Sequence, residues 1–134
     1  MDDQSDCAES YIEPSEIVDC LQRIRFCASS EAGMQQGIEM ILQERYPNAF
    51  IREFVLSIQN RPDFFNPHNG IVIEVKWASS GGSSNRVAEQ ISRYATSPRV
   101  RSIIVCSPSR RALAALPKSV QGIFVHSAVL STGI

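Results

Sequence analysis

Apolar side chains recur along this chain with two periods, and the switches between them mark its elements. From Pro14 the spacing is helical. Ile17, Leu21, Ile24 and Cys20 or Cys27 fall three or four apart behind the first-turn acid Glu16, which predicts a helix beginning at Pro14. After the polar break Ser29-Ser30, a second stripe of Met34, Ile38, Ile41 and Leu42 predicts another helix, ended at Tyr46-Pro47-Asn48 because proline cannot continue it. From Ala49 β-branched and aromatic residues take over, and strands are expected over 49–58, 61–65 and 71–77. The short polar step Gln59-Asn60 implies an antiparallel hairpin, and Asn66-Pro67-His68-Asn69-Gly70 reads as a turn, so three strands should lie side by side. The Ser/Gly-rich run 78–85 predicts a flexible loop. Beyond it Val87, Ile91 and Tyr94 or Ala95 restore the helical period over 86–95, and the helix should end near Pro98. A fourth strand over 100–106, a short helix over 110–116 and a fifth strand over 122–126 complete the pattern.

This order predicts an α/β (α+β) sandwich: a central mixed sheet of four or five strands flanked by helices. At 134 residues, 43% of them hydrophobic and 20% charged, the chain is that of one globular domain, neither disordered nor fibrous. Residues 1–13 carry five acids and no period, so an acidic tail is expected before a single domain over 14–134. The longest apolar runs are strand-sized, far below the ~20 residues of a membrane span. The N-terminus, Met-Asp-Asp-Gln-Ser-Asp, has no apolar run behind it, unlike a signal peptide. An intracellular protein is expected, in the cytoplasm or at the nucleoid, with a viral or mobile-element origin left open.

The net charge of −1 hides an asymmetry: residues 1–60 sum to −7 and residues 61–134 to +6. A basic second half suits a polyanionic ligand, but the low overall charge makes any nucleic-acid contact local. Cys7, Cys20, Cys27 and Cys106 form no Cys-x-x-Cys pair and stand far from His68 and His126, which argues against zinc. Cys20 and Cys27, two turns apart on the predicted first helix, cannot bridge within it, and free thiols in a reducing compartment are expected. His68 in its turn reads as a surface residue and His126 as a satisfied strand histidine.

The chemistry concentrates in the middle of the chain. Residues i and i+2 of a strand face one side, so Glu74 and Lys76 project together while Ile73, Val75 and Trp77 enter the opposite, apolar face. Asp63 on the preceding strand becomes a cross-strand neighbour of Glu74. Two carboxylates so placed repel unless a cation lies between them, and hard oxygen donors suit Mg²⁺ or Mn²⁺ better than zinc. With a lysine alongside, these are the parts needed for metal-assisted phosphodiester hydrolysis. Taken alone, Glu-x-Lys is most often a solvated strand face and Pro-Asp a turn; their conjunction points to a site.

Arg61-Pro62-Asp63 followed by Glu74-Val75-Lys76 resembles the signature of the PD-(D/E)XK nuclease superfamily, and Gln90-Ile91-Ser92-Arg93-Tyr94 resembles the Gln-x-x-x-Tyr motif of its RecB-like branch. The resemblance covers roughly residues 34–125. It implies a restriction-endonuclease-like core in the order α-β-β-β-α-β, with Asp63, Glu74 and the Val75 carbonyl holding Mg²⁺ or Mn²⁺. It further implies that Lys76 activates or positions the water, and that Gln90 and Tyr94, one helical turn apart, orient the lysine or the scissile phosphate. Many members bring a glutamate from the preceding helix to the metal, and Glu39 stands in the matching place.

The function expected is metal-dependent hydrolysis of DNA phosphodiesters, with duplex or branched DNA such as a junction as partner. Arg61, Arg86 and Arg93 are the expected phosphate contacts. Without room for a recognition domain, a homodimer presenting two sites is plausible. Two other classes fit the same residues: a catalytically inactive nuclease-fold module that binds nucleic acid or protein, favoured by the acidic first half, and an RNA-cleaving, toxin-like nuclease.

Overall fold

The computed structural model describes residues 11–77 and 83–133, with backbone alone for 83–85. Helix α1 (Pro14–Gln22) begins with proline in its first turn, where no N–H is needed, and buries Ile17, Cys20 and Leu21. It stops before the expected Ile24 and Cys27. The chain instead enters strand β1 (Arg25–Phe26), which runs parallel to β8 (Ser131–Thr132) and buries Phe26, a tertiary pairing that overrides the helical stripe. Cys20 is therefore buried on the helix and Cys27 exposed beyond it; both are free thiols, as is Cys106, while Cys7 lies outside the described residues.

Helix α2 (Glu31–Arg45) starts three residues before its apolar stripe, because the Ser30 hydroxyl caps it by accepting the Gly33 N–H at 3.1 Å. Met34, Ile38 and Leu42 are its buried positions. The strand expected over 49–58 is only β2 (Ile51–Arg52), since Glu53 turns into the left-handed region with φ 52° and breaks the ladder. Residues 54–60 then fold back on themselves, closed by a Ser57–Asn60 bridge, before β3 (Phe64–Asn66). The antiparallel pairing of β2 with β3 is present, but its link is longer than the Gln59-Asn60 step implied. A tight turn leads to β4 (Ile71–Val75), also antiparallel to β3. Gly70 is required there: its φ is 69°, and a Cβ would lie 2.5 Å from the Arg99 carbonyl oxygen.

Helix α3 (Ser83–Ala95) carries the chain across to β5 (Ser102–Ser107), which is parallel to β4 and so demands a long crossover. Helix α4 (Arg110–Ala114), β6 (Ser119–Val120) and β7 (Ile123–Val129) follow, with β7 parallel to β5. The sheet order is β2-β3-β4-β5-β7-β6, six strands where four or five were expected; β6, two residues on the outer edge, announces itself by no periodicity. Among the described residues the architecture is thus α+β, a mixed six-stranded sheet with four helices, and its elements from α2 to β5 run α-β-β-β-α-β.

Alternate strand residues feed two cores. Ile71, Ile73 and Val75 pack with Ile17 and Leu21 of α1 and Met34 and Ile38 of α2, while Val72, Ile103 and Val105 pack with Val87, Ile91 and Tyr94 of α3. Ile12 is already buried and its N–H donates to Asn69 Oδ1 at 3.3 Å, so the end of the expected tail is docked. Among the described residues no helix is long and apolar enough to cross a membrane.

Candidate active site

The β3–β4 register pairs Phe64 with Ile73, so Asp63, one step before β3, stands opposite Glu74. Their groups interlock. The Asp63 N–H donates to Glu74 Oε1 at 3.3 Å, and the Val75 N–H donates to Asp63 Oδ2 at 2.7 Å. On its other edge β4 is engaged by β5, where the Lys76 N–H donates to the Cys106 carbonyl at 2.8 Å. In an extended strand a residue's N–H and C=O leave on the same side, so the Val75 carbonyl points to the same edge as the N–H that meets Asp63.

Tyr94 closes the site from α3. Its place in the stripe Val87, Ile91, Tyr94 buries the ring completely, and its hydroxyl donates to Glu74 Oε1 at 3.0 Å. Gln90, one turn earlier, is a hydrogen-bond partner of the same hydroxyl. Lys76 is half-buried two residues beyond Glu74, and its charge acts on that carboxylate.

Burial pushes both carboxylates above the usual range. For Glu74 the Asp63 charge pushes further, against the hydrogen bonds from Tyr94 and Asp63 and the charge of Lys76. For Asp63 the bond from Val75 opposes burial, the Glu31 charge adds to it, and Gln35 and Arg52 relieve it. Burial and the Glu74 charge hold the Tyr94 hydroxyl protonated, which keeps it a donor.

Glu31 was not foreseen from the sequence. It stands in the first turn of α2, its Oε1 accepts the Trp77 N–H at 3.1 Å, and its charge reaches Asp63. Gln35, one turn on, hydrogen-bonds Asp63 and accepts from Arg52 Nη2 at 3.1 Å. Glu39 is placed differently from the expectation. Its Oε1 is 2.8 Å from Arg52 Nη1 on a half-exposed surface, and it is Glu31 that the fold brings to Asp63. They are eight positions apart on α2, about 12 Å of helix rise, so both cannot serve one point. An acid just after a capping serine looks in sequence like a partner for the helix dipole, which concealed Glu31.

Among the described residues no group of three or more His, Cys, Asp or Glu gathers at one point. What is offered is two carboxylates and a backbone carbonyl. That all-oxygen set fits Mg²⁺ or Mn²⁺, which retain waters and take few protein ligands. Cys106 lies close by, but burial and the charges of Asp63 and Glu74 hold its thiol protonated, so no soft ligand competes.

The site thus unites Asp63, Glu74, Val75, Lys76, Gln90 and Tyr94. The three arginines stay at the surface: Arg93 Nε donates to Asn60 Oδ1 at 3.3 Å, Arg86 is exposed two turns earlier on α3, and Arg61 lies 3.8 Å from Glu53. His68 is exposed, His126 is half-buried with its pKa lowered by that burial, and Trp77 packs against the first core. Compared with family models, with curated proteins and with solved structures, the chain matches none.

Proposed function

We propose that this protein is a metal-dependent nuclease of the PD-(D/E)XK, restriction-endonuclease-like type, hydrolysing phosphodiester bonds in DNA. The observation that carries the reading is the interlocked pair of half-buried Asp63 and buried Glu74, eleven residues apart in sequence and each raised in proton affinity where the β3–β4 ladder ends. A fold gains nothing in stability from two carboxylates set opposite each other and withdrawn from water, whereas a divalent cation between them would relieve their repulsion. The α-β-β-β-α-β order and the adjoining Lys76, Gln90 and Tyr94 support the same reading.

Asp63, Glu74 and the Val75 carbonyl would hold Mg²⁺ or Mn²⁺, which when bound supplies Lewis-acid polarisation of the phosphate and a more acidic water. Lys76, on the Glu74 face, donates to a non-bridging phosphoryl oxygen and stabilises the charge that grows there as water adds to phosphorus and a P–O ester bond breaks. The departing oxygen takes a proton from solvent, and the proton lost by the water passes to solvent, so none is gained or lost overall. Tyr94 and Gln90 are positioning residues: the phenol fixes the Glu74 carboxylate and the amide fixes the phenol.

Incubation with plasmid, linear duplex, single-stranded and four-way-junction DNA, and with RNA, in Mg²⁺, Mn²⁺ or EDTA tests the reading. DNA scission that EDTA and Asp63→Asn both abolish is the expected result. No scission of any DNA in either metal overturns it, and cutting of RNA alone reassigns the substrate.

A further inference from the structure

Residues 54–60 form a braced finger whose tip is apolar. Asn60 ties its base four ways: its carbonyl accepts the Leu56 N–H at 2.9 Å and the Ser57 N–H at 3.4 Å, its N–H donates to the Ser57 carbonyl at 3.1 Å, and its Nδ2 donates to Ser57 Oγ at 2.7 Å. Its Oδ1 takes Arg93 Nε at 3.3 Å, which joins the finger to the turn of α3 that carries Tyr94. Phe54 stacks on Phe65 at 5.0 Å, and Leu56 packs against the second core. At the tip Ile58 is 97% exposed, and Val55, three residues earlier in the finger, is 57% exposed.

Turn tips ordinarily carry Gly, Asn, Asp or Ser, whereas this one holds out an isoleucine on a hydrogen-bonded brace. The finger's surroundings indicate its occupant. Arg93 grips Asn60, the Arg99 guanidinium lies 5.0 Å from the Phe54 ring, and exposed Arg61, 3.8 Å from exposed Glu53, begins the three residues that lead to Asp63, so the cations on this side outnumber the one acid. An apolar tip with cationic flanks, next to a phosphate-cleaving pair, matches nucleic acid.

We infer that the 54–60 finger is a wedge that inserts Ile58 between neighbouring bases of the DNA whose backbone lies at Asp63 and Glu74; this rests on the nuclease reading above. Apolar side chains inserted at a base step unstack it and kink the helix. A single isoleucine can do so where stacking is already interrupted, so the wedge selects branched or nicked DNA over continuous duplex.

The test uses the full chain carrying Lys76→Ala in Mg²⁺, so that DNA stays intact, and a four-way junction with 2-aminopurine at the branch. Binding, followed by anisotropy, should raise 2-aminopurine fluorescence several-fold. Adding Ile58→Ser should remove that rise while weakening binding less than ~10-fold, because phosphate contacts carry most of the affinity. An equal rise with Ile58→Ser overturns the wedge. So does an Ile58→Ser protein whose mass in solution changes, which would make the tip a contact between copies. Cleavage by the unaltered protein is measured on the same junction: cutting without unstacking removes the wedge and keeps the nuclease, and unstacking without cutting does the reverse.

Discussion

Asp63 and Glu74 are hydrogen-bonded to each other's strand while both are acids: the Asp63 N–H donates to Glu74 Oε1 at 3.3 Å, and the Asp63 carboxylate accepts from Val75, the residue after Glu74. Backbone donors can hold two carboxylates in place, but they leave the mutual repulsion standing. Removing one charge with an isostere should therefore stabilise the metal-free protein. Asp63→Asn or Glu74→Gln is expected to add about 1 kcal/mol, a rise on the order of 4 °C in Tm at this chain length. The same variants should lower Mg²⁺-dependent cleavage by at least ~10²-fold. Thermal melts in EDTA beside a cleavage assay check both, and a variant that cuts at the unaltered rate overturns the site.

The pH dependence follows with a definite sign. Both carboxylates bind protons more tightly in the folded chain than in the unfolded one, where they titrate near pH 4 (about 3.9 for Asp and 4.3 for Glu). Across the window from there up to the raised values the folded state holds more protons, so this pair's contribution to stability falls as pH rises and levels off above the window. Mg²⁺ binds the deprotonated pair, so its stabilising effect should grow with pH over the same window. Melts from about pH 5 to 8, with and without Mg²⁺, check this, with the Asp63→Asn, Glu74→Gln double variant as the baseline from which both trends should vanish.

The charge of Lys76 acts on Glu74, and in the proposed nuclease Lys76 serves the phosphate rather than gripping DNA. Lys76→Ala should reduce turnover by at least ~10²-fold, the low end for one electrostatic or general acid–base group, with binding largely kept. Single-turnover rates beside anisotropy separate the two, and a large loss of affinity at unchanged rate would move Lys76 into the groove.

The pairing of Asp63 with Glu74 was legible because strand alternation and antiparallel pairing are fixed by backbone geometry, which leaves few registers once the turn at 66–70 is recognised. Tyr94 and Gln90 were legible for the same reason, helical spacing placing them on one face. The finger at 54–60 was not, because its apolar alternation is that of a strand: Phe54 and Leu56 do turn inward, but Glu53 leaves the β region and the ladder ends. The C-terminal stretch 131–132 and Arg25-Phe26 pair across nearly the whole chain, a contact that local pattern does not encode.

Salt should report the surface arginines. Arg86 and Arg93, seven residues and two turns apart on α3, share an exposed face leading to the site. Replacing both with alanine should weaken DNA binding about equally across sequences and lower the slope of log K against log salt by about one for each phosphate no longer neutralised. Titrations at several salt concentrations check this; an unchanged slope would place the phosphate track elsewhere.

Glu31 and Glu39 lie on one helix and give opposite expectations. Glu31 touches the site through Asp63 and the Trp77 N–H, so Glu31→Gln, which keeps an oxygen for that N–H and removes the charge, should lower cleavage by ~10- to 100-fold, the usual effect of a group that supports a metal ligand. Glu39 is engaged by Arg52 at 2.8 Å in a pair whose side chains are 32% and 50% exposed, and Glu39→Gln should cost under ~1 kcal/mol. Cleavage by Glu39→Gln should stay within about twofold of the unaltered rate, because Gln35 still holds Arg52 at 3.1 Å and Asp63 keeps its Val75 bond. Rates and denaturant midpoints of the two variants side by side decide the matter: a strong loss with Glu39→Gln and none with Glu31→Gln would mean that α2 presents the other glutamate when metal and DNA are bound.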